Sequence, residues 1–389
     1  MEIPTVYFAD ARARSSAESL ISKFDSLIDI ELKEKISKGD LVAIKTHMGS
    51  PLSTRYLRPF YIRRLVEHLK KLGAKPFVAE TTGLGLTNPR GTAQKYLEIA
   101  ASHGFTQETV LAPIIIADGQ FGTDITKVKF EGNLFKEVTL AKMLTKVDFL
   151  ISAAHFTGHA FAGPAGAIKN IGVGCAGKTS KGLIHFKNKP KVNPSICDGS
   201  PGYSIAPCIT ACPVDAVSKE NNTAVIDEEK CIFCYACVVK CPQKAIETER
   251  TEKTFLQKAI TELTTAFVQT IGKENIYNFN FLIEIDWNCD CEHLQKGWND
   301  TPIVPDLGIL ASSDPLAIDQ ASIDLINAAP GIPGSMAEEC GVMEPGADKL
   351  GSILKDIDPQ NLLVAAEEIK LGSRKYKLEK IEMPLPKST

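Results

Sequence analysis

The sequence lacks the features of a membrane, secreted or nucleic-acid-binding protein. Its apolar stretches, such as Val110–Ala117, are far shorter than the roughly 18 residues that cross a bilayer. The start, Met-Glu-Ile-Pro, has neither the basic nor the apolar region of a secretory signal. The net charge is -3, which argues against a surface built on positive potential. We therefore expect a cytoplasmic protein with neither a membrane nor a nucleic acid as partner.

Composition and length favour an ordinary globular protein of more than one domain. Apolar residues make up 44% and charged residues 23% of the chain, which excludes disordered and fibrous classes. A chain of 389 residues is too long for one compact core, so about two or three domains are expected. Neither observation indicates an oligomeric state.

Cysteine is abundant, and its spacing is informative. The chain has 11 cysteines, and without an export signal such a number indicates metal ligation rather than disulfides. The run Cys231–Pro242 reads CIFCYACVVKCP, the bacterial ferredoxin spacing C-x2-C-x2-C-x3-C-P. In two-cluster ferredoxins the fourth cysteine of such a run ligates the other cluster. The run therefore predicts a [4Fe–4S] site, with zinc as the competing interpretation.

An internal repeat completes the first cluster. Ala211–Val217 (ACPVDAV) echoes Lys240–Ile246 (KCPQKAI), as the two halves of a two-cluster ferredoxin do. The exchange of the fourth ligand between halves then assigns one [4Fe–4S] cluster to four cysteines: Cys212, Cys231, Cys234 and Cys237.

The second ligand set is incomplete. Counting back from Cys208, the two expected cysteine positions hold Gly202 and Ile205, and Cys197 lies further upstream. In one interpretation, the second cluster is held by Cys197, Cys208, Cys241 and one other ligand. In another, it is a three-cysteine cluster with an open or missing iron. Alternatively, it is lost, and the remaining cysteines are buried thiols or a disulfide.

Three further cysteines form a candidate metal site. Cys289-Asp290-Cys291 follows a strand-like stretch, Asn278–Asp286, and such a pair holds a metal or consists of two ordinary buried thiols. Cys175 lies in a glycine-rich loop, Gly172–Gly177, where the backbone can approach a ligand closely. We expect Cys175, Cys289 and Cys291 to bind a metal or a three-thiolate cluster, and Cys340 to be structural.

Alternating strand and helix patterns predict an α/β protein. Strands are expected at Asp40–Thr46, Pro76–Glu80, Val110–Ile116, Val147–Ser152, Asn278–Asp286 and Leu307–Ala311, and helices at Phe60–Leu72, Thr254–Ile271 and from Asp314. The pattern predicts an open, largely parallel sheet with helices on both faces and a small inserted ferredoxin-like iron–sulfur domain. The expected boundaries are 1–193 for the first part of the α/β domain, 194–251 for the insert, and 252–389 for the second part.

Polar residues gather where the predicted strands end. Four of them carry basic or imidazole groups and are our candidate catalytic residues: Lys45, His47, His155 and Lys169. In an open parallel sheet, ligands bind beyond the carboxyl ends of the strands, so these groups favour an anionic substrate. Gly83-x-Gly85 resembles part of a dinucleotide-binding loop, but the remaining glycine is absent.

Four segments together resemble the "domain of unknown function 362" family. They are GPAGAIKNIGVGCAG (Gly163–Gly177), the ferredoxin run, DWNCDC (Asp286–Cys291) and DLGILASSDPLAIDQASID (Asp306–Asp324). The resemblance implies an α/β domain in anaerobes with four-iron clusters, and it supplies no reaction. It matches recurring family positions at Cys175, Cys289, Cys291, Lys169, Asn170, Asp286, Asp314 and Asp319. The N-terminal part also resembles, distantly, the α/β domain of lactate racemase-type proteins.

These observations together predict an anaerobic iron–sulfur oxidoreductase. Its clusters would pass electrons one at a time to a strand-end site that receives a small anionic substrate or serves a redox partner protein. Two other functions remain open. In the first, the protein serves as an electron carrier or docking subunit without chemistry of its own. In the second, it donates sulfur or metal during cofactor assembly.

Overall fold

Eight strands form one central sheet in the computed structural model, which describes residues 3–291 and 299–383. The strands of this sheet are β1 (Thr5–Asp10), β2 (Leu41–Lys45), β3 (Lys75–Glu80), β4 (Ile114–Ile116), β7 (Phe149–His155), β14 (Ile276–Leu282), β15 (Gly308–Ser312) and β16 (Lys377–Lys380). Short two-stranded sheets contain β5 (Ile125–Lys129), β6 (Glu137–Ala141), β8 (Thr157–His159), β9 (Gly163–Ala165), β10 (Lys191–Val192), β11 (Val217–Glu220), β12 (Thr223–Ile226) and β13 (Ile246–Glu247).

Helices connect the strands, together with two short 3₁₀ helices at Lys142–Lys146 and Lys273–Asn275. The α-helices are α1 (Leu20–Lys35), α2 (Pro59–Lys71), α3 (Ala93–Ser102), α4 (Gln107–Val110), α5 (Ala167–Gly172), α6 (Lys178–His185), α7 (Pro207–Thr210), α8 (Ala236–Lys240), α9 (Lys253–Ile271), α10 (Pro315–Ala328), α11 (Met336–Glu339), α12 (Lys349–Ile353) and α13 (Gln360–Glu368).

The strand order is β16-β1-β15-β14-β7-β2-β3-β4, and all neighbours are parallel except where β15 lies between β1 and β14. The register aligns Lys45 of β2 with Ser152 of β7 and Ala79 of β3. In β14, Phe281 pairs with His155 of β7. The carboxyl ends of these four parallel strands therefore share one edge of the sheet, where the polar residues of the sequence were predicted to meet.

Apolar side chains bury both faces of the sheet, which confirms the predicted α/β class with helices on both sides. On one face, α1 and α2 contribute residues such as Phe24 and Leu65 to a continuous hydrophobic cluster. On the other face, α5, α9 and α10 contribute residues such as Ile168, Leu263 and Ile318. The apolar stripe that predicted α9 is buried along its length because the helix packs against α5 and α13.

Several elements differ from the sequence predictions. The predicted strand Val110–Ile116 shortens to β4, because Val110 ends the short helix α4 and Leu111 adopts a left-handed conformation. The elements β1, α1 and β16 were not predicted, although β1 and β16 complete the edge of the sheet next to β15. β15 runs antiparallel to both of its neighbours, in agreement with the expectation of a sheet that is largely, but not wholly, parallel.

The cysteine-rich segment follows α6 and precedes α9 in the sequence, and it has a small hydrophobic cluster of its own. Its two ends meet, because β10 pairs with β13 and the Lys187 N–H donates to the Glu249 carbonyl over 2.8 Å. A separate core surrounds Cys208, Cys237 and Cys241, beside the β11–β12 hairpin. This segment is attached to the α/β part through both of its ends at one place.

The buried carboxylate of Asp319 anchors α5, the helix that carries Lys169. It accepts the Ala167 and Ile168 N–H groups over 2.7 and 3.0 Å, and the Asn280 amide over 2.8 Å. Replacing Asp319 by alanine leaves these donors unsatisfied, so we expect a loss of about 2–4 kcal/mol in the free energy of unfolding. Urea denaturation measures it.

The matched control for this prediction is Asp324→Ala on the same helix. Asp324 is exposed and accepts from the Tyr376 hydroxyl at the surface. We expect this change to cost less than about 1 kcal/mol. Equal effects of the two substitutions would contradict the anchoring role of Asp319.

Candidate functional site

The four cysteines assigned to the first cluster line one cavity in the insert, together with Pro190, Val214, Ala216, Val217, Ile226, Ile232 and Tyr235. Cys231, Cys234 and Cys237 come from one loop and Cys212 from the other half of the repeat. The walls are otherwise mostly apolar. Four sulfurs around a cavity of this kind fit a [4Fe–4S] cluster, which is held by four thiolates.

The backbone of this loop points its N–H groups at the sulfurs. Phe233 and Tyr235 adopt left-handed conformations, with φ of 57° and 55°, which reverse the chain between successive cysteines. The Phe233 N–H lies against the Cys231 sulfur, and the Ala236 N–H against the Cys234 sulfur. Such donors stabilise the negative charge of a cluster and tune its potential.

The repeat in the sequence recurs in this geometry. The Ala216 N–H donates to the Cys212 sulfur over 3.2 Å, and the Ala245 N–H donates to the Cys241 sulfur over the same distance. The residue before each donor, Asp215 or Lys244, has a left-handed conformation in both copies. The two halves of the insert therefore fold alike, including the half whose cysteines are incomplete.

Burial and mutual repulsion raise the pKa of three of these thiols, those of Cys231, Cys234 and Cys237. The pKa of Cys237 is raised to about 12 by burial and by the neighbouring cysteines Cys234, Cys231 and Cys212. The pKa of Cys234 is raised by burial as well. A ligand that carries positive charge removes this cost, because metal binding deprotonates its thiol ligands. The donor set thus fits iron.

The other cysteines of the insert line a second cavity, of about 300 Å³. It contains Cys197, Cys208 and Cys241. Gly202 and Ile205, which occupy the expected cysteine positions, are exposed. Ser200 and Gln243 line the cavity instead, and Ser200 is 6% exposed. Cys197 therefore lies at the same cavity as Cys208 and Cys241, beside two polar side chains.

At the sheet edge, Lys45 lies in a buried network. Its ammonium is 2.8 Å from the Glu80 carboxylate and 2.9 Å from the Asn170 amide oxygen, and the side chain is 1% exposed. The Asn170 amide in turn donates to Ser152 over 2.9 Å. Burial raises the pKa of Glu80, but Lys45, His47 and Lys181 together bring it below its ordinary value. Lys45 therefore ties α5 to the ends of β2, β3 and β7.

Cys289 and Cys291 lie together beside the ammonium of Lys169. The Lys169 Nζ is 3.4 Å from each sulfur. The Cys289 thiol donates to the Asp290 carboxylate over 3.2 Å. Interaction with Cys289, together with Lys169 and Arg90, lowers the pKa of Cys291 to about 6. The pKa of Cys289 is raised, first by its interaction with Cys291 and then by burial. Cys291 is therefore the thiolate of the pair near neutral pH.

Asp290, between the two cysteines, lies against both predicted histidines. Its carboxylate is 3.5 Å from His155 Nδ1 and 3.7 Å from His47 Nδ1. Burial alone lowers the pKa of His155, but Asp290 and the Ile283 carbonyl, 2.7 Å from Nε2, raise it above the ordinary value. His155 can thus hold a proton close to the cysteine pair.

Cys175 has different surroundings from this pair. Its thiol is fully buried in the hydrophobic core, and its charged neighbours are Lys45, Glu80 and Lys181. Burial raises the pKa of Cys175 to about 12. No hydrogen bond within residues 3–291 and 299–383 joins Cys175 to Cys289 or Cys291. The metal site predicted from these three cysteines stays a prediction.

One loop contacts both the first cluster cavity and the cysteine pair. This loop, residues 83–91, follows β3. A Cβ at Gly85 would lie 3.2 Å from the Cys234 carbonyl oxygen, so the loop passes close to the cluster cysteines. At its other end, Arg90 donates to the Cys291 carbonyl over 2.6 Å. Gly85, one of the two glycines that resemble a dinucleotide loop, therefore allows close packing against the insert.

Sequence reasoning did not assign functions to four residues that build this region: Arg90, Asp290, Lys178 and Lys181. Lys178 donates to the Gly83 and Gly91 carbonyls over 2.8 and 3.1 Å and so closes the 83–91 loop. Burial lowers its pKa to about 8. Sequence reasoning misses such a residue because a lysine on a helix ordinarily indicates a solvated surface. For Asp290, the signal in the sequence is its position inside the Cys-x-Cys pair.

Comparisons with curated proteins match the iron–sulfur segment. The chain is 45% identical over 62 residues to the polyferredoxin-like subunit of an aliphatic sulfonate oxidoreductase from Pyrococcus furiosus, a match covering 15% of this chain and 34% of that subunit. It is 39% identical over 61 residues to a ferredoxin from Alicyclobacillus acidocaldarius, covering 15% of this chain and 78% of the ferredoxin. With the electron transport protein HydN of Escherichia coli it shares 43% identity over 42 residues, covering 11% and 24%.

The cysteine-rich insert is similar to the ferredoxin-type iron–sulfur segments of these relatives. The model of the family described as "Domain of unknown function (DUF362)" matches residues 42–324, and the chain belongs to this family. The resemblance to this family that the sequence showed is thereby confirmed.

Two solved structures are similar to the fold at low sequence identity. A protein from Thermotoga maritima aligns with a TM-score of 0.42 and 11% identity, over 81% of this chain and 60% of its own. The lactate racemase apoprotein from Thermoanaerobacterium thermosaccharolyticum aligns with a TM-score of 0.33 and 12% identity, over 70% and 54%. Within the described ranges, the helices are all too short or too polar to cross a membrane.

Proposed function

We propose that this protein is an iron–sulfur oxidoreductase that conducts electrons between its ferredoxin-type insert and the strand-end site at Cys289 and Cys291. The observation that carries the proposal is the 83–91 loop, which packs against Cys234 at one end and bonds to Cys291 at the other. A bound [4Fe–4S] cluster supplies electrons one at a time. The 83–91 loop gives these electrons a direct route through packed protein.

The charges of the strand-end site support an anionic substrate. Lys169 and Arg90 place two cationic groups around the cysteine pair, and His155 with Asp290 can exchange a proton there. The Nε2 atom of His47 is buried, and it forms no hydrogen bond with any described residue. These groups are the substrate-binding and proton-transfer residues of the proposal, whereas Lys45 acts by positioning α5.

The experiment uses protein reconstituted anaerobically with iron and sulfide. After reduction with dithionite and its removal, we expect cluster signals in electron paramagnetic resonance that decay when oxidised ferredoxin is added. Small anionic acceptors such as sulfite and nitrite are then tested, and decay that requires Cys289 and Cys291 identifies the strand-end site. Clusters that neither gain nor lose electrons with any donor or acceptor would refute the proposal.

The curated relatives also favour a second candidate, an electron carrier without chemistry of its own, because several of them are named ferredoxin or electron transport protein. This function predicts that ferredoxin oxidises the reduced clusters of a Cys289→Ser, Cys291→Ser double variant as rapidly as those of the native protein. It also predicts that no small acceptor reacts. The same experiment therefore separates the two functions.

For the second cavity we propose a cluster held by three thiolates, with the remaining position facing Ser200. The support is that Cys197, Cys208 and Cys241 line the cavity with the buried Ser200 hydroxyl, which is 3.4 Å from the Gln243 amide oxygen. Clusters in ferredoxin-type sites take four thiolates, so a set of three leaves one iron with another ligand or absent.

Replacing Ser200 by cysteine should complete this ligand set. We expect about eight irons per chain in the variant and Mössbauer spectra in which the unequal iron site of the native protein is lost. The matched control is Ser195→Cys, an exposed serine in the same segment. An unequal site that persists in Ser200→Cys would show that Ser200 does not face the cluster.

A further inference from the structure

We infer that Cys289 and Cys291 form a redox-active dithiol that closes to a disulfide and reacts with disulfide substrates. This inference rests on the proposed function and names the chemistry of its strand-end site. The Cys291 N–H lies 3.5 Å from the Cys289 sulfur, and the Lys169 ammonium lies 3.4 Å from both sulfurs. Because a single residue separates the two cysteines and one ammonium contacts both, their sulfurs are positioned for bond formation.

The position of Lys169 favours this chemistry over a metal. Its ammonium is 3.4 Å from both sulfurs, where it stabilises a thiolate by charge-assisted hydrogen bonds. A metal cation bridging the same two sulfurs would have to displace or repel this charge.

The two cysteines differ in solvent exposure, which indicates which of them attacks the substrate first. Cys289 is 5% exposed, whereas Cys291 is only partly buried. The Cys291 thiolate therefore attacks the sulfur–sulfur bond of the substrate, forming a mixed disulfide and releasing one substrate thiolate. The Cys289 thiol then attacks the Cys291 sulfur, so the internal disulfide forms and the second substrate thiol leaves.

Proton and electron balance follows from the neighbouring groups. The reduced substrate carries away two electrons, and the proton lost by Cys289 passes to the departing thiolate. His155, held by Asp290 beside the pair, is placed to relay it. Return of the disulfide to the starting pair of one thiol and one thiolate takes one proton and two electrons, which a low-potential iron–sulfur electron donor would supply one at a time.

The test uses the anionic disulfide 5,5′-dithiobis(2-nitrobenzoate) under anaerobic conditions, with the reconstituted, fully reduced protein. Above the background of the Cys289→Ser, Cys291→Ser double variant, the native chain should release two thionitrobenzoates from this pair. Cys289→Ser should release one and retain a mixed disulfide at Cys291. Cys340→Ser, which removes a cysteine outside the site, should behave as the native protein does.

Mass spectrometry of the peptide containing both cysteines provides the decisive readout. After oxidation and alkylation in denaturant, the native peptide should be two hydrogens lighter and carry no alkyl group. Both thiols still free after oxidation, or iron or zinc lost in the double variant, would overturn the inference. The cluster signals report on the proposed function separately, so either idea can fail without the other.

Discussion

Replacing Cys234 and Cys237 together by alanine is expected to remove the first cluster and about four irons per chain. The cavity then keeps only Cys212 and Cys231 of its four sulfurs. Because metal binding contributes directly to folding, the insert should also become sensitive to proteolysis. Iron and acid-labile sulfide analysis of anaerobically reconstituted protein measures the change.

This double substitution should also stop electron flow from a reduced donor to the Cys289–Cys291 pair, because the lost sulfurs belong to the loop that touches Gly85. The control is Cys340→Ser, which leaves both cavities intact. Unchanged iron content in the double variant would show that these cysteines do not hold the cluster, and the electron-transfer function would then have no source.

Replacing Lys169 by glutamine is expected to raise the pKa of Cys291 from about 6 by roughly one to two units. The thiolate is the reactive form, and its fraction increases as the pH rises through this pKa. With the ammonium removed, the same fraction is reached only at higher pH. At pH 6.5 the rate of alkylation by iodoacetamide should fall by roughly three- to thirtyfold.

The pH profile distinguishes this effect from a loss of structure. In Lys169→Gln the rate should approach that of the native protein at pH 9, whereas a misfolded site would differ at every pH. Lys253→Gln, which removes the charge of a lysine paired with Asp356 at the surface, is the matched control. A profile that does not move in Lys169→Gln would mean that this ammonium does not stabilise the Cys291 thiolate.

Much of the fold could be predicted because local patterns and tertiary packing agree. The helix α10 begins at Pro315 behind Asp314, whose carboxylate accepts the Leu316 and Ala317 N–H groups over 3.0 Å. Such caps depend on residues next to one another in the chain. The order of the sheet depends instead on contacts between distant segments, so the antiparallel direction of β15 and the presence of β1 and β16 could not be inferred.

The candidate site was predictable in its parts but not in its pairings. Strand ends in a parallel sheet bring Lys45 and His155 to one edge, as the sequence analysis expected. Which groups neutralise each other there depends on side-chain geometry. Lys45 therefore proved to be paired with Glu80, while Lys169 lies against the two sulfurs. Cys175, close to Lys169 in sequence, faces the core because α5 ends between them.

The closeness of the two ends of the insert has a consequence for the history of the chain. Because Lys187 and Glu249 are hydrogen-bonded neighbours, a short turn could connect the two ends if everything between them were removed. Gain or loss of this unit would then be a single local event in a gene, leaving the sheet to fold as before. Damage to iron by oxygen should likewise unravel the insert first and spare the larger part.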